Sequence, residues 1–267
     1  MPSTTTVTPL KRGKLYWFFH DTLVIMKRSL LHVKADPEQL LGITLQPIMF
    51  VVLFRYVFGG AINTGGESYI NFLMAGIFVQ TITFGASITG LTIASDLQRG
   101  IMDRFRSLPM NKSAILTGTV ISDMIKNCLA IFVMIVTGLI VGFRPDADIM
   151  GWLAALGLLI LFSFAISWVF AIVGMKGKTI EFVQQMGFLV LFPLTFVSST
   201  FVPTSTMPAG LRPFAENQPL THMAEAVRAL LLNNPVGNHG WLALAWSLGI
   251  LLVAVPIAIS LFKKQGK

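Results

Sequence analysis

Charged residues are scarce in this chain of 267 residues, and their scarcity excludes most classes of soluble protein. Only 12% of the residues are charged, whereas a soluble globular domain usually carries about 25%. Hydrophobic residues make up 54% and the mean hydropathy is +0.73, so intrinsic disorder is excluded too. Cys128 is the single cysteine, which excludes a disulfide scaffold. The composition therefore indicates an integral membrane protein.

Acidic residues are fewer than basic ones, 12 against 20, and the formal net charge is +8. A pI near 9.9 often accompanies nucleic-acid binding. That function requires a basic face on a soluble fold, so we expect no nucleic-acid partner. The positive charge is instead interpreted by its position along the chain.

Six apolar runs are long enough to cross a membrane, because about 20 residues at about 1.5 Å each cover about 30 Å of hydrocarbon. The runs are continuous rather than alternating, which disfavours a β-barrel. Nothing before residue 38 has the length of a signal-peptide core, so we expect no cleaved leader. The predicted fold is one all-α transmembrane domain over residues 1–267, with spans at 40–58, 70–95, 113–142, 152–174, 182–202 and 241–262.

The basic residues orient these spans. With a cytoplasmic N-terminus, fifteen of them fall in inner segments and three, Arg144, Arg212 and Arg228, in outer segments. The positive-inside rule then places both termini in the cytoplasm of a multi-pass plasma-membrane protein, which we expect to be bacterial. The inner residues are Lys11, Arg12, Lys14, Lys27, Arg28, Lys34, Arg99, Arg104, Arg106, Lys112, Lys176, Lys178, Lys263, Lys264 and Lys267.

The segment before the first span, residues 15–31, has the pattern of an amphipathic helix. Its apolar side chains share one face, and His20, Asp21, Lys27 and Arg28 fall on the opposite face. This pattern predicts a helix in the membrane interface, with membrane lipid as a partner. A short helix packed on a soluble domain is the alternative, but the sequence has no soluble domain. The apolar residues are Leu15, Phe18, Phe19, Thr22, Leu23, Ile25, Met26 and Leu30.

The loop between the second and third spans, residues 96–112, is the most charged stretch of the chain. Its apolar residues recur at spacings of four, four and three, which predicts a short amphipathic helix ended by Pro109. A rigid cytoplasmic helix suits a protein moved by an internal motor, with Arg99, Asp103, Arg104 and Arg106 facing it. An anchor that only sets topology is the alternative. The apolar residues are Leu97, Ile101, Phe105 and Leu108.

The second and fifth spans are rich in polar side chains. Polar groups in hydrocarbon are costly unless satisfied, so these residues either line a translocation path or pack against neighbouring helices. Packing by small residues explains the glycines and explains Asn71 and Gln80 less well. Neither span brings a lone charge to the membrane centre, which favours a large amphiphilic cargo. The candidate path residues are Asn71, Gln80, Thr81, Ser87, Gln184, Gln185, Thr195, Ser198 and Ser199.

Asp123 and Lys126 are opposite charges three residues apart in the third span, so one helical turn brings them together. They form either a proton relay or charged gate, or a neutralised pair that faces the protein interior or the cytoplasmic end of a long helix.

The segment between the fifth and sixth spans, 203–240, is too polar to span and too apolar for a plain loop. Pro219 can begin a helix that ends at Asn233-Asn234-Pro235. Its apolar stripe is formed by Leu220, Met223, Val227, Leu230 and Leu231, and His222, Glu225 and Arg228 lie off that stripe. Glu225 and Arg228 are three apart and can pair.

Catalytic and metal chemistry is not indicated. Residues 174–179 resemble a phosphate-binding loop superficially, but position 172 is isoleucine where glycine is required. We therefore expect no cofactor on this chain and no enzyme activity. We also expect no metal site, because His20, His32, His222 and His239 share no ligand spacing and lie on both sides of the membrane.

Several runs resemble the daunorubicin-resistance (DrrB-like) branch of the ABC-2-type export permeases. The resemblance covers nearly the whole chain. It lies in Asp96, Gly100 and the run Arg-Phe-Arg-Ser-Leu-Pro at 104–109, in 188–203, in 207–208, in 211–216, in 218–219 and in Ala-Val-Arg-Ala-Leu at 226–230.

The resemblance implies a six-span subunit of an ATP-binding-cassette exporter of drugs, lipids or glycans. Two such subunits pair, with a homodimer favoured over a related heterodimer, and each docks one of two cytoplasmic ATPase subunits that use ATP and Mg²⁺. The resemblance also implies re-entrant helices in 203–240, for which an outer-surface helix is the alternative. It further implies an ATPase contact built from the N-terminal helix and the loop, with the residues His20, Lys27, Arg28, Arg99, Asp103, Arg104, Phe105 and Arg106.

A stand-alone secondary carrier or channel is the alternative function. A proton-driven carrier needs unpaired acids in mid-span, and Asp123 is the single acid there. The six spans also show no inverted repeat of the kind that many carriers contain.

Overall fold

The computed structural model describes residues 14–35, 37–59, 68–102, 104 and 112–264. Every regular element within these ranges is helical. In chain order the elements are α1 (Lys14–Ala35), α2 (Pro37–Leu53) with a π-helical turn (Phe54–Phe58), α3 (Tyr69–Gln98), α4 (Lys112–Val141), α5 (Ile149–Lys176), α6 (Ile180–Phe196), a 3₁₀ turn (Thr204–Thr206), α7 (Arg212–Asn217), α8 (Pro219–Leu231) and α9 (His239–Lys264).

Four of the predicted spans form helices that are long and apolar enough to cross a membrane, namely α3, α4, α5 and α9. The other two predicted spans form shorter apolar helices, Leu45–Val57 and Ile180–Phe196. At about 1.5 Å per residue, the 30 residues of α3 extend about 45 Å, whereas the 17 residues of α6 extend about 25 Å.

The fifth span ends earlier than predicted. The sequence places its end at residue 202, but α6 stops at Phe196, three residues after Pro193. Proline fixes its own φ and has no N–H to donate, and the amide of Val197 closes the last turn on the Pro193 carbonyl at 2.8 Å. Residues 198–200 then form a buried turn, with their side chains 0% exposed.

Helix α3 is the centre of the protein. In its most apolar 18-residue stretch 83% of the residues are buried, against 22% in α9. It packs most extensively on α5, and also on α4, α6 and α8. Two glycines of α3 allow its neighbours to approach its backbone closely. A Cβ at Gly76 would collide with the Thr200 carbonyl, and a Cβ at Gly85 would collide with the Asn127 side-chain amide. The predicted packing by small residues is therefore confirmed at these two positions.

Two apolar clusters fill opposite ends of the bundle. The larger joins the first half of α3 to α5, α8 and Phe201. The smaller, here called the second cluster, joins the last turns of α3, α5 and α9 to the first turns of α4, through residues such as Ile93, Ile115 and Met175. Side-chain caps fix two of the helix starts: Asp148 Oδ1 accepts from the Gly151 amide at 2.7 Å, and Thr179 Oγ1 accepts from the Phe182 amide at 3.1 Å.

A helix covers the predicted N-terminal segment, and it packs along α4. Ile25, 2% exposed, lies against Gly118, where a Cβ would be 2.8 Å from that of Ile25. Asp21 is 5% exposed, so its predicted place on the polar face with His20 is wrong. The helix turns the side that holds Asp21 and Ile25 towards α4.

Candidate functional site

The predicted path residues do not share one surface. Five of the nine are buried, two are partly buried, and two are exposed. Gln80 and Thr81 are 4% and 3% exposed on α3, and neither Gln80 Oε1 nor Thr81 Oγ1 has a hydrogen-bond partner among the described residues. The other buried three are Thr195, Ser198 and Ser199, and the partly buried two are Asn71 and Ser87.

Several of these polar groups are satisfied by local backbone. Thr195 donates to the Leu191 carbonyl at 2.7 Å, and Ser87 donates to the Phe84 carbonyl at 2.6 Å. Asn71 ties the start of α3 to the loop after α4: its Nδ2 donates to the Arg144 carbonyl at 3.2 Å, and its Oδ1 accepts from the Arg144 amide at 3.0 Å. These contacts indicate structural roles within one subunit.

The first turns of α6 are different, because Gln184 and Gln185 are both exposed. They lie on a helix whose next turns expose Phe188 at 57%, Leu189 at 63% and Val190 at 50%. This surface, residues 184–190, combines two primary amides with large apolar groups. It therefore offers the mixed surface that an amphiphile requires.

A series of phenylalanine rings begins on this surface and passes into the interior, and it was not predicted from the sequence. The first three rings lie four residues apart on α6, a spacing that the sequence already shows. The series then crosses the buried turn to α2 and its π-helical turn. The rings are Phe188, Phe192, Phe196, Phe201, Phe54 and Phe50, with successive centroid separations of 5.0, 4.3, 4.9, 4.5 and 5.9 Å.

An apolar groove of about 400 Å³ lies on α2, at the far end of this ring series. It is lined by Leu45, Gln46, Met49, Phe50 and Leu53. Met49 is 61% exposed and Leu45 55% exposed. The groove on α2 and the exposed side of α6, which the ring series connects, are together called the α2–α6 face here. Both are apolar, aromatic and partly open.

Asp123 and Lys126 form the predicted ion pair, with Lys126 Nζ 2.7 Å from Asp123 Oδ1. Their side chains are 2% and 7% exposed, so the pair faces the protein interior. Asn127, one residue further on, donates to Ser163 Oγ of α5 at 2.9 Å. Asp123 Oδ2 has no hydrogen-bond partner within the described ranges.

The predicted ATPase-contact residues are described only in part. His20, Lys27, Arg99 and Arg104 are exposed, and Arg28 is partly buried. Gly100 has φ +67°, so a left-handed turn separates Leu97 from Ile101 and interrupts the predicted loop helix at this point. Asp103, Phe105 and Arg106 lie outside the described residues.

The start of the loop is nevertheless anchored. Met102, 1% exposed, packs in the second cluster with Ile93 of α3 and Ile115 of α4. Gly118, against which α1 packs, is one to two turns after the start of α4. The described part of the loop and α1 therefore both contact the first turns of α4.

Helix α8 begins at Pro219 as predicted, and the chain leaves it through Asn233, whose φ is 53°. The Glu225–Arg228 pair is confirmed at 2.7 Å. The expectation that Arg228 lies off the buried stripe is wrong, because the residue is 5% exposed. Its Nε donates to the Phe72 carbonyl at 3.1 Å, its Nη2 donates to the Ser199 carbonyl at 2.8 Å, and its Cζ lies 3.6 Å from the Phe72 ring centroid.

Arg228 therefore joins three parts of the protein: α3 through Phe72, the turn after α6 through Ser199, and α8 itself. The Nη1 contact with Glu225 has the distance of an ion pair but not the angles of a hydrogen bond. A planar guanidinium can make all these contacts at once, since its donors point outward in a fixed fork.

The expectation that His222 lies off the buried stripe is also wrong, and its ring lies against a second histidine. His222 of α8, 6% exposed, and His239 at the start of α9 face each other, with their Nδ1 atoms 3.1 Å apart. Burial and the neighbouring His239 lower the pKa of His222. Among the described residues no group of three or more His, Cys, Asp and Glu side chains is placed to hold a metal ion.

Comparison with known proteins gives a consistent family. The sequence profile of the family described as ABC-2 type transporter matches residues 20–232. The chain is 33% identical over 245 residues to a daunorubicin resistance ABC transporter permease protein, DrrB1, of Streptomyces coeruleorubidus. The aligned region covers 92% of this chain and 87% of that protein.

Two further relatives are more distant. A probable doxorubicin resistance ABC transporter permease protein, DrrC, of Mycobacterium tuberculosis (strain CDC 1551 / Oshkosh) is 28% identical, over 91% of this chain and 88% of its own length. An O-antigen export system permease protein, RfbA, of Klebsiella pneumoniae is 20% identical, over 91% and 92%.

Proposed function

This chain belongs to the ABC-2 type transporter family as a transmembrane permease subunit of an ABC exporter, and from that premise we propose that it moves an amphiphilic substrate outward across the plasma membrane. Its relatives are named for resistance to daunorubicin, resistance to doxorubicin and export of O-antigen. The substrate of this chain is accordingly assigned as a class: a drug, lipid or glycolipid with polar and apolar parts.

The α2–α6 face is the observation that supports this proposal. Gln184 and Gln185 offer amide groups near the first turn of α6, and Phe188 and Phe192 continue the same exposed side as apolar rings. An amphiphile can place its polar part at the amides and its apolar part along the rings, which stack favourably with flat or aliphatic groups. Gln80 and Thr81 are enclosed by the subunit and are not part of this surface.

Six membrane spans are the topology that the packing supports. Helices α3, α5 and α9 end at the second cluster, and α4 begins there. α6 begins beside the end of α5, where Val183 lies against Gly177. α2 runs towards the opposite end, where Phe54 stacks on Phe201. The six segments therefore alternate in direction, with α2 and α6 as the two short spans.

The end of the bundle at the second cluster is assigned to the cytoplasm. Met102, Met175 and Phe262 of that cluster are sequence neighbours of the chain's inner cations. Positive charge near span ends favours the cytoplasmic side. With this assignment α1 lies in the inner membrane interface, and Phe19 and Leu23, 59% and 58% exposed, can enter the lipid. The cations are Arg99, Arg104, Lys176, Lys178, Lys263 and Lys264.

ATP hydrolysis is assigned to a partner. Two cytoplasmic ABC ATPase subunits, with ATP and Mg²⁺, dock on α1 and on the loop after α3. We choose these two elements because α1 and the described part of the loop both contact the first turns of α4. A second copy of the permease completes the transporter. Two α2–α6 faces that meet in a homodimer enclose a path between them, and they remove an exposed apolar groove from the lipid.

The proposal is tested by ATP-driven uptake of daunorubicin, and separately of a fluorescent phospholipid, into inverted vesicles that contain the permease and its ATPase. We expect Gln184→Leu with Gln185→Leu, and Phe188→Ala with Phe192→Ala, to reduce transport and substrate-stimulated ATP hydrolysis. The matched control is Phe132→Ala on α4, because Phe132 is also an exposed phenylalanine, at 62%, but belongs to neither α2 nor α6.

The outcomes separate the two parts of the proposal. If neither substrate is transported by the wild-type complex, the proposed substrate class is wrong. If transport occurs and both double variants match the Phe132→Ala control, the class stands but the α2–α6 face is not the path.

A further inference from the structure

One polar contact layer ties α3, α4 and α5 together in the interior of the bundle. Its centre is Asn127 of α4, which is 2% exposed. The Asn127 side chain lies against Gly85 of α3, and its Nδ2 donates to Ser163 Oγ of α5 at 2.9 Å. These three residues are here called the Asn127 layer. The same three helices meet again about two turns away, in the second cluster, through Ile93, Val120 and Ala171.

Three buried polar side chains lie midway between these two levels, one on each helix. Each is four residues from a member of the Asn127 layer, the spacing that keeps two side chains on one face of a helix. They are Thr89 of α3, Asp123 of α4 and Ser167 of α5, which are 0%, 2% and 0% exposed. The packing of the three helices therefore brings these side chains to one level inside the protein.

The oxygens of this trio share an unmet need for hydrogen bonds. Thr89 Oγ1, Asp123 Oδ2 and Ser167 Oγ have no partner in the part of the chain that the structure describes. Thr83 and Ser247, which are equally buried, donate instead to a carbonyl of their own helix, at 2.6 and 2.7 Å. A buried polar group without a partner destabilises a fold, and native proteins satisfy nearly all such groups.

The donors and acceptors of the trio complement those of one water molecule. The two hydroxyls can each donate to the water oxygen, and the water can donate a hydrogen to the carboxylate. A buried water typically makes about three such bonds. A metal cation fits less well, because the Lys126 ammonium already lies 2.7 Å from the other oxygen of the Asp123 carboxylate and repels it.

We propose that Thr89, Asp123 and Ser167 bind one internal water molecule, which joins α3, α4 and α5 between the Asn127 layer and the second cluster. The water accepts from Thr89 Oγ1 and Ser167 Oγ, and it donates to Asp123 Oδ2. The Asp123–Lys126 pair, whose own contact lies within α4, is thereby linked to the two neighbouring helices.

Thermal unfolding of the full chain in lipid nanodiscs tests this bridge, because a bonded hydroxyl and an unpartnered one respond differently to removal. Thr89→Val and Ser167→Ala each remove a hydroxyl with little change in shape. We expect each to lower the Tm by about 2–4 °C, the usual shift for one lost hydrogen bond in a protein of this size. The double variant should lose less than the sum, since either change already weakens the same water.

The controls remove hydroxyls of the same types that bond to their own helix. Thr83→Val combined with Ser167→Ala should give additive Tm shifts, and so should Ser247→Ala combined with Thr89→Val. Apolar replacement of an unpartnered hydroxyl leaves the Tm unchanged or raises it. Either of those results for Thr89→Val and Ser167→Ala, or strictly additive losses in their double variant, overturns the proposal.

A cryo-EM map of the chain in nanodiscs, enlarged by a bound antibody fragment and sharp enough to show ordered water, locates the molecule directly. We expect a density peak about 2.5–3.0 Å from all three oxygens, and its loss in Thr89→Val with Ser167→Ala. A wild-type map with water elsewhere but none here contradicts the proposal, as do direct bonds among the three side chains. Replacing Na⁺ with choline should change neither the peak nor the Tm, whereas a dependence on Na⁺ identifies a cation in place of water.

Discussion

Lys126 is the residue whose removal most clearly separates the two interpretations of its ion pair with Asp123. The pair lies almost fully inside the protein, and Lys126 is joined to Asp123 by a 2.7 Å contact. The cost of removing two charges from water is offset by their mutual attraction, which requires both charges. The loss of one partner therefore destabilises the folded protein by about 3–5 kcal/mol, whereas replacing both with apolar residues is often neutral.

We therefore expect Lys126→Met to lower the free energy of unfolding strongly, and Asp123→Leu with Lys126→Met to restore most of it. The measurement is thermal unfolding in detergent together with substrate transport. If the double variant is stable and transports like wild type, the pair is structural. Stable protein without transport identifies the pair as a relay or gate.

Arg228 is a second buried charge, and it is not replaceable by lysine. A single ammonium cannot reach the Phe72 and Ser199 carbonyls together or stack on the Phe72 ring. Each lost hydrogen bond to a buried carbonyl costs about 1–3 kcal/mol. We expect Arg228→Lys to lower the Tm clearly in the same unfolding assay.

The matched control is Arg212→Lys, at an exposed arginine that pairs with Glu216 at 2.7 Å across one helical turn. Exposed pairs are worth about 0–1 kcal/mol, so little change is expected there. Equal Tm shifts in the two variants contradict the joining role of Arg228.

At the scale of single residues, the sequence predicts contacts that are local in the chain. The pairs Asp123–Lys126 and Glu225–Arg228 follow from a separation of three in a helix. His222 and His239 are 17 residues apart, and their contact depends on how α8 returns to α9. The burial of Arg228 depends likewise on α3 and on the turn after α6, so no periodicity within α8 indicates it.

The loop after α3 is the element that we expect to transmit the work of the ATPase. Arg104 is exposed, directly after a turn that the buried Met102 anchors in the second cluster. Reversing Arg104 and Arg106 to glutamate should weaken ATPase docking or uncouple hydrolysis from transport. Charges at an interface set register and on-rate as well as affinity.

The measurement is the amount of ATPase that copurifies per permease, and the amount of substrate moved per ATP. Lys263→Glu with Lys264→Glu, at the end of α9, is the matched control and should change both much less. A loop variant that equals this control shows that Arg104 and Arg106 only set topology.

At the scale of elements, apolar length predicts α3, α4, α5 and α9 well, because hydrophobic runs of that length have few alternatives. The early end of α6 was predictable only in part. Pro193 indicates a kink, but that the chain stops and forms a buried turn depends on the contact between Gly76 and Thr200. The orientation of α1 was misjudged at Asp21 for a related reason: Gly118 of α4 receives the side of α1 that holds Ile25.

The topology of the whole molecule gives the broadest prediction. In a Cys128→Ala background, cysteines at Asp146 and Ser205, both exposed, should react with an impermeant thiol reagent added outside intact cells. A cysteine at Ser107 in the loop after α3 should react only after the cells are opened. The reverse labelling pattern would contradict the arrangement with both termini inside.

For the whole molecule, composition predicts an integral membrane protein, which the four long apolar helices support, and the family match supports its transport role. Six spans with cytoplasmic ends stay a prediction from apolar length and basic bias. The path was harder to predict. Polarity marks both Gln80 and Gln185, but a sequence does not distinguish a polar group enclosed by its own subunit from one on an open face. That difference arises only when α3 is surrounded by α4, α5, α6 and α8.

The contact of Gly76 with Thr200 has a mechanical consequence. Backbone meets backbone there, without the flexible side chain that would absorb a small displacement. Helix α3 extends from this contact to the loop on which the ATPase is proposed to act, and it is packed tightly along most of its length. We therefore expect α3 to behave as a stiff rod, which passes a small displacement of its inner end on to the turn at 198–200. Arg228, which is bonded to that turn and to Phe72 of the rod, moves with them.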